Sequence, residues 1–250
     1  PCLWRAPTDN DGGKPGTRPL FNSKTANWVD YGVHALMPGP TQVLTLPRDL
    51  GLALGFERQW SGASEQTLTH RSIWRFVEGQ ITIEETLIVP ETWQDLPRIG
   101  VRFETASALK QLDWLGLGPD ESYPDRCAAQ TVGVWRSSIA EQYHPYVRPQ
   151  EYGAHEQCRW FRLRDETGAG IKVSLPQPLS FTARPYHDDD LNQAETVAEL
   201  TSKATTEVHI DVGMRGLGTG ACGPDALPEF QLAAGTHTFQ WALSAVEADD

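Results

Sequence analysis

Residues 67–89 read TLTHRSIWRFVEGQITIEETLIV, two runs in which β-branched and aromatic residues alternate with polar ones on either side of Glu78-Gly79. A period of two sends successive side chains to opposite faces, so each run has one face to bury and one for water. The break between them is short and contains glycine, which closes the pair into an antiparallel hairpin with strands expected at Thr67–Phe76 and Ile81–Val89. Outward from this hairpin the pattern recurs at Thr41–Thr45, Leu52–Trp60, Arg98–Ala106 and Leu109–Leu115. It returns at Cys158–Arg164, Gly170–Leu175, Leu179–Arg184 and Glu207–Met214. A last hairpin is expected between Phe230–Leu232 and Thr236–Val246. Helical signal is confined to Tyr186–Ala194 and a turn at Asn27–Val29. Short strands at this spacing with so little helix make an all-β sandwich or barrel. No repeat at the 20–50-residue spacing of propellers and solenoids is present, and no linker-like tract divides the chain, so residues 1–250 are expected to form a single domain.

Composition narrows the partners. With 33 acidic residues against 21 basic ones the net charge is −12. A nucleic-acid binder needs a basic footprint to displace counterions, and none is present, so that class is excluded and the acidity is read as solubility. No apolar run approaches the ~18 residues that cross a bilayer. Four cysteines (Cys2, Cys127, Cys158, Cys222) lie far apart without a C-x-x-C pair, which fits neither zinc-finger spacing nor a disulfide framework. Free thiols in a reducing, cytoplasmic compartment are expected. The sequence opens on Pro-Cys-Leu-Trp with no initiator Met, basic n-region or apolar h-region, and is read as a piece of a longer chain.

The stretch from Trp114 to Trp160 carries most of the candidate chemistry. It leaves an apolar run at Gly116-Leu117-Gly118-Pro119, passes through a polar, proline-rich block and returns at Cys158-Arg159-Trp160. Its aromatics argue against disorder, and a long ordered excursion is expected to line a site. Glu121, Asp125 and Glu151 could converge as the two carboxyl groups that glycoside hydrolysis needs, but carboxylates beside Arg126 and Arg148 are read first as structural ion pairs. Trp114 and Trp160 are assigned to the core; Tyr146 and Tyr152 are divided between core and a sugar-stacking wall. Gly218–Gly223 (GTGACG) has the G-x-G-x-x-G form, but Pro224 and Pro228 follow instead of a helix, so a dinucleotide fingerprint is rejected. No nucleophile motif is present. Asp188–Asp190 lacks the ligand spacing of a Ca²⁺ loop and is read as a solvated helix N-terminus, so no metal site is assigned.

Four segments carry a family resemblance: Trp4–Asp11 (WRAPTDND), Trp114–Arg126 (WLGLGPDESYPDR), Pro145–Gly153 (PYVRPQEYG) and Pro228–Gly235 (PEFQLAAG). In order and spacing they resemble the C-terminal small-chain domain of family 2 β-galactosidases. The resemblance implies an antiparallel β-supersandwich similar to galactose mutarotase, part of an enzyme that hydrolyses terminal β-galactosides with retention. The catalytic glutamates, Mg²⁺ and a monovalent cation would then belong to an upstream TIM barrel, leaving no catalytic residue and no cofactor in this chain. Its partners would be the galactoside substrate and the enzyme's own upstream domains, with homo-oligomerisation left open. A pocket edge is expected at Gly218, Gly220, Cys222 and Gly223, where family members place a stacking Trp that this sequence lacks, with Glu151, Tyr152 and His155 beside it. Trp4, Arg5, Asp9, Asn10, Asp11, Asp125 and Arg126 are expected to be structural, holding loops through buried hydrogen bonds. Two rival readings are a stand-alone aldose mutarotase or epimerase, using Glu151 with His155, His187 or His209, and a non-catalytic carbohydrate-binding module.

Overall fold

A computed structural model of the chain describes residues 1–15, 24–218 and 225–248. Among the described residues eleven strands are formed: β1 (Met37–Leu44), β2 (Ala53–Ser61), β3 (Thr67–Val77), β4 (Gln80–Val89), β5 (Arg98–Ala106), β6 (Gln111–Gly118), β7 (Thr131–Ser138), β8 (Ala154–Arg164), β9 (Gly170–Arg184), β10 (Thr205–Met214) and β11 (Gly235–Val246). Every pairing is antiparallel, in the order β1-β2-β3-β4-β11-β9-β8-β6-β7, while β10 joins β5 to β9. The expected all-β antiparallel sandwich is what forms.

One strand turns the sheet over. The first half of β9 pairs with β11 up to Ser174, and its last five residues, Ser180–Arg184, pair with β10. Between them lie Pro176 and Pro178, which have no N–H to give a ladder, so the partner changes there. β10 and β5 therefore form a second layer facing β11 and β4. Ile99, Val101, Val208 and Ile210 from that layer share one core cluster with Ile83, Leu87, Phe239 and Trp241. Trp114, Phe161 and Phe181 extend the same cluster toward β6 and β8.

Several expectations change. The hairpin at residue 67 keeps its predicted turn, with Val77 opposite Gln80 around Glu78-Gly79. The Trp114–Trp160 excursion contains a strand, β7, which the reading missed. Phe230–Leu232 is not a strand: Pro228 opens a 3-10 turn over Pro228–Phe230, and β11 pairs with β4 and β9 instead. Trp160 is not in the core. Gln157 sits at φ 55° within a register shift of β8, and that bulge changes the phase so that Phe161 and Leu163 point inward. Trp160 then lies outside between the cations of Arg162 and Lys172, at 5.3 and 5.5 Å. The helix at Asn27 is longer than the expected turn, α1 (Lys24–Tyr31), and α2 is Asp188–Gln193.

Candidate functional site

The loops after β6 and β7 enclose an open groove of about 750 Å³, lined by Glu121, Asp125, Arg126, Gln142, His144 and Tyr146 among others. Its walls are held by charge and hydrogen bonds. Glu121 accepts from Arg126, from the Tyr146 hydroxyl and from the Gly153 backbone N–H (2.7 Å). Arg126 also donates to the Tyr146 oxygen at 2.8 Å. Carboxylate, guanidinium and phenol thus close on one another, and burial beside the Glu121 charge pushes the Tyr146 phenol above its ordinary range. Arg126 pairs with Glu121 and not with Asp125.

Asp125 does something else. Its two carboxylate oxygens accept from the backbone N–H groups of Leu217 (2.9 Å) and Gly218 (2.8 Å). The same short segment is gripped from the other side. Arg5 donates to the carbonyls of Arg215 (2.6 Å) and Gly216 (3.3 Å), and Asn10 donates to that of Leu217 at 3.0 Å. Arg5 is fixed in turn by Asp11 at 2.8 Å, and Asp11 also accepts from the Thr8 amide and hydroxyl. The Gly216 N–H donates to the Phe230 carbonyl at 2.9 Å. A Cβ on Gly216 would lie 2.5 Å from Asp125 Oδ2, so only glycine lets the carboxylate come this close. Residues 215–218 are therefore clamped by the Trp4–Asp11, Trp114–Arg126 and Pro228–Gly235 segments, and Asp125 ties them to the groove wall. Trp4 and Asp9 serve the same bracing: Trp4 meets Trp28 edge-on at 6.3 Å, and the Asp9 N–H donates to Gln150. Gly218 is the last described residue before 219–224, and the expected pocket-edge residues Gly220, Cys222 and Gly223 lie outside the described residues.

Glu151, Tyr152 and His155 are inside the protein, not on an open rim. Glu151 is 0 % exposed and Tyr152 and His155 are each 1 % exposed. His155 lies against Trp114, ring centroids 4.3 Å apart, and its Nε2–H donates to Gln142 Oε1; burial pushes its pKa down to about 3. Tyr152 packs edge-on to Tyr143 at 5.1 Å. Glu151 belongs to a buried ion cluster that sequence reasoning missed, because its members come from four separate segments. Arg98 lies 3.2 Å from Glu151, 3.6 Å from Asp188 and 3.2 Å from Asp211. Arg184 bonds Glu151 (3.0 Å), Asp188 and Glu207 (3.4 Å). Two guanidiniums thus meet four carboxyl groups, and His209 completes the set. Of the mutarotase candidates, Glu151, His155 and His209 are shut away from solvent. Asp188 belongs to the cluster and is not solvated as expected, although Asp190 still accepts from the His187 N–H at the start of α2.

Cys2, Asp188 and His209 offer ligand atoms within 4.8 Å of one another, but the set does not fit a metal ion. Arg98 donates to His209 Nδ1 at 2.8 Å, so Nε2 carries the proton and donates to Glu207 at 3.0 Å. Neither ring nitrogen is then free, and two guanidiniums stand where a cation would. The donors also differ from the all-oxygen shell that Mg²⁺ takes.

Asp211 gives the cluster a pH dependence. Neither of its oxygens has a hydrogen-bond donor, despite the nearby Arg98 Nε, and burial pushes its pKa up to about 8. The folded protein therefore holds a proton on Asp211 that the unfolded chain releases from about pH 4 upward. The unfolded state binds fewer protons across that window, so this contribution is complete below pH 4 and is lost as pH rises to 8. The slope is about 1.4 kcal/mol per pH unit for one such group. Asp211→Asn should flatten the decline of the urea midpoint between pH 5 and pH 8; an unchanged slope would refute the assignment.

A family profile described as beta galactosidase small chain matches residues 1–243. The beta-galactosidase of Arthrobacter sp. (strain B7) is 31% identical across 97% of this chain, which covers 26% of that protein's length. That of Actinobacillus pleuropneumoniae is 32% identical across 92% of this chain and 22% of its own length. The chain thus spans about a quarter of such relatives. Among solved structures, an aldose epimerase homologue from C. elegans superposes with a TM-score of 0.44 at 8% identity, covering 83% of this chain and 68% of that one.

Proposed function

Because the chain belongs to the beta-galactosidase small-chain family, we propose that it is the C-terminal portion of a retaining β-galactosidase acting on terminal β-D-galactosides. In this reading the catalytic glutamates and their metal ions are supplied by upstream domains. The chain itself contributes the edge of the sugar pocket through the segment rooted at residues 215–218, and its partners are the substrate and those domains. One observation carries the reading: three of the four motif segments converge to clamp residues 215–218, and one of the clamping groups, Asp125, also lines the groove. Each of these polar groups is hydrogen-bonded, which offsets the cost of taking it out of water and holds the segment in one position. The described cysteines Cys2, Cys127 and Cys158 are free thiols, which supports a cytoplasmic setting.

Turnover of a chromogenic β-galactoside tests the reading. The full-length protein should be active and the 250-residue chain inert; turnover by the purified chain would overturn it. Within the full-length protein, Asp125→Ala removes both acceptors from Leu217 and Gly218. It should lower kcat/KM by about tenfold to a hundredfold, the cost of small misplacements at a site. Activity within twofold of wild type would detach the 215–218 segment from the substrate.

A further inference from the structure

The second layer of the sandwich is narrower than the first. Among the described residues β5 has β10 on one side and a single bridge on the other, Cys2 to Gly100. That bridge is a full antiparallel pair: the Cys2 N–H donates to the Gly100 carbonyl at 2.7 Å, and the Gly100 N–H donates back at 3.0 Å. Beyond it the alternate residues Arg102, Glu104 and Ala106 turn their backbone groups to the same side, because hydrogen-bonding direction alternates along a strand. No described strand meets them.

The inner face beside this edge is also open. A cleft of about 360 Å³ lies between β5 and the β2-β3-β11 face, lined by Pro1, Phe56, Trp60, Trp74, Phe103 and Trp241 with the polar ends of Arg58, His70 and Glu85. Phe103 stacks on Trp241 with ring centroids 5.6 Å apart and planes 2° apart, yet Phe103 is only half-buried and Trp74 is 36% exposed. The indole N–H groups of Trp60 and Trp241 have no partner. An aromatic core position left uncovered at an open sheet edge marks a place where a strand is added.

We infer that the β5 edge and its aromatic cleft seat one further antiparallel strand, formed in the longer protein by the polypeptide that leads into Pro1. This rests on the reading that the chain is part of a longer β-galactosidase. The geometry sets the register. With Cys2 opposite Gly100, the residue before Pro1 falls opposite Arg102, and the second residue before Pro1 falls opposite Phe103. The latter pair does not exchange hydrogen bonds, and its side chains point into the cleft. The second and fourth residues before Pro1 should therefore be apolar, and the intervening ones polar.

Hydrogen exchange on the full-length protein reads the edge directly. The Arg102 and Glu104 amides should be slowed on the order of a hundredfold or more relative to an open edge. A second measurement fixes the occupant: cysteines at Phe103 and at the second residue before Pro1 should form a disulfide on mild oxidation, since non-hydrogen-bonded pairs bring Cα atoms to about 4.5 Å. Free exchange at both amides overturns the proposal. Protection without the crosslink overturns it too, by giving the edge to another occupant. Galactoside turnover on the same preparation separates the two readings. An active enzyme with an open β5 edge defeats only the strand, and a protected edge in an inactive protein defeats only the function.

Discussion

Replacing Arg98 by methionine should cost about 3–5 kcal/mol of folding stability, the range for breaking a buried ion pair from one side. For a chain of this size that is on the order of a 10 °C fall in the unfolding midpoint. Arg98 is 0 % exposed and is the positive neighbour of Glu151, Asp188 and Asp211 at once. Its removal leaves Glu151 and Asp188 with Arg184, takes the guanidinium from beside Asp211, and strips His209 Nδ1 of its donor. Urea unfolding followed by tryptophan fluorescence would measure the loss. The mechanism can be separated from simple cavity formation. If stranded charge is the cause, adding Glu151→Gln to Arg98→Met should recover part of the loss; a cavity would not respond to it. Arg126→Met is the contrasting case. Its pair with Glu121 is half exposed on the arginine side, where such pairs contribute about 1 kcal/mol or less. Equal losses for the two variants would contradict the buried-cluster account.

The different fates of these two arginines show where sequence is readable. The Thr67–Val89 hairpin was legible because local signals agree: alternation, β-branched content and a turn glycine. β7 was not, since Thr131–Ser138 is an edge strand with no fully buried residue, so no core face marks it in the sequence. Trp160 was misplaced because a single positive-φ residue, Gln157, changes the phase of β8, and φ leaves no mark on hydrophobic periodicity. Phe230 was misread because Pro228 starts a helical turn as readily as it ends a loop. The motif segments of the candidate site were legible as words, but their convergence on residues 215–218 was not. Arg5 meets Arg215 across more than two hundred positions, a separation over which spacing carries no information. Glu151 lies in a segment without regular structure, and such segments are expected at the surface. Its burial follows from Arg98 and Arg184, which lie on strands that topology alone brings together.

Trp114→Ala should be the second severe variant, at about 3–5 kcal/mol for a large aromatic deleted from a packed core. Trp114 is 1 % exposed, and its indole N–H donates to the Leu117 carbonyl at 3.0 Å, fixing the end of β6 just before the groove begins. One side of the ring lies on His155; the Phe181 edge lies 6.3 Å away, and Phe181 stacks on Phe161 at 4.4 Å. The alanine variant therefore removes a keystone shared by β6, β8 and β9, and it also opens a route for water to His155. Because neutral His155 is maintained by burial, the variant should raise its pKa toward the ordinary range, which NMR titration of the ring would detect. In the wild type, neutral burial costs stability only below pH 6.5, where the unfolded chain takes up a proton that folded His155 refuses until about pH 3. The variant should lose that acid-side slope together with its stability. Trp114→Phe keeps an aromatic face for His155 and should retain more than half of the lost stability. If alanine and phenylalanine cost the same, the indole N–H to Leu117 carries the effect and ring packing does not.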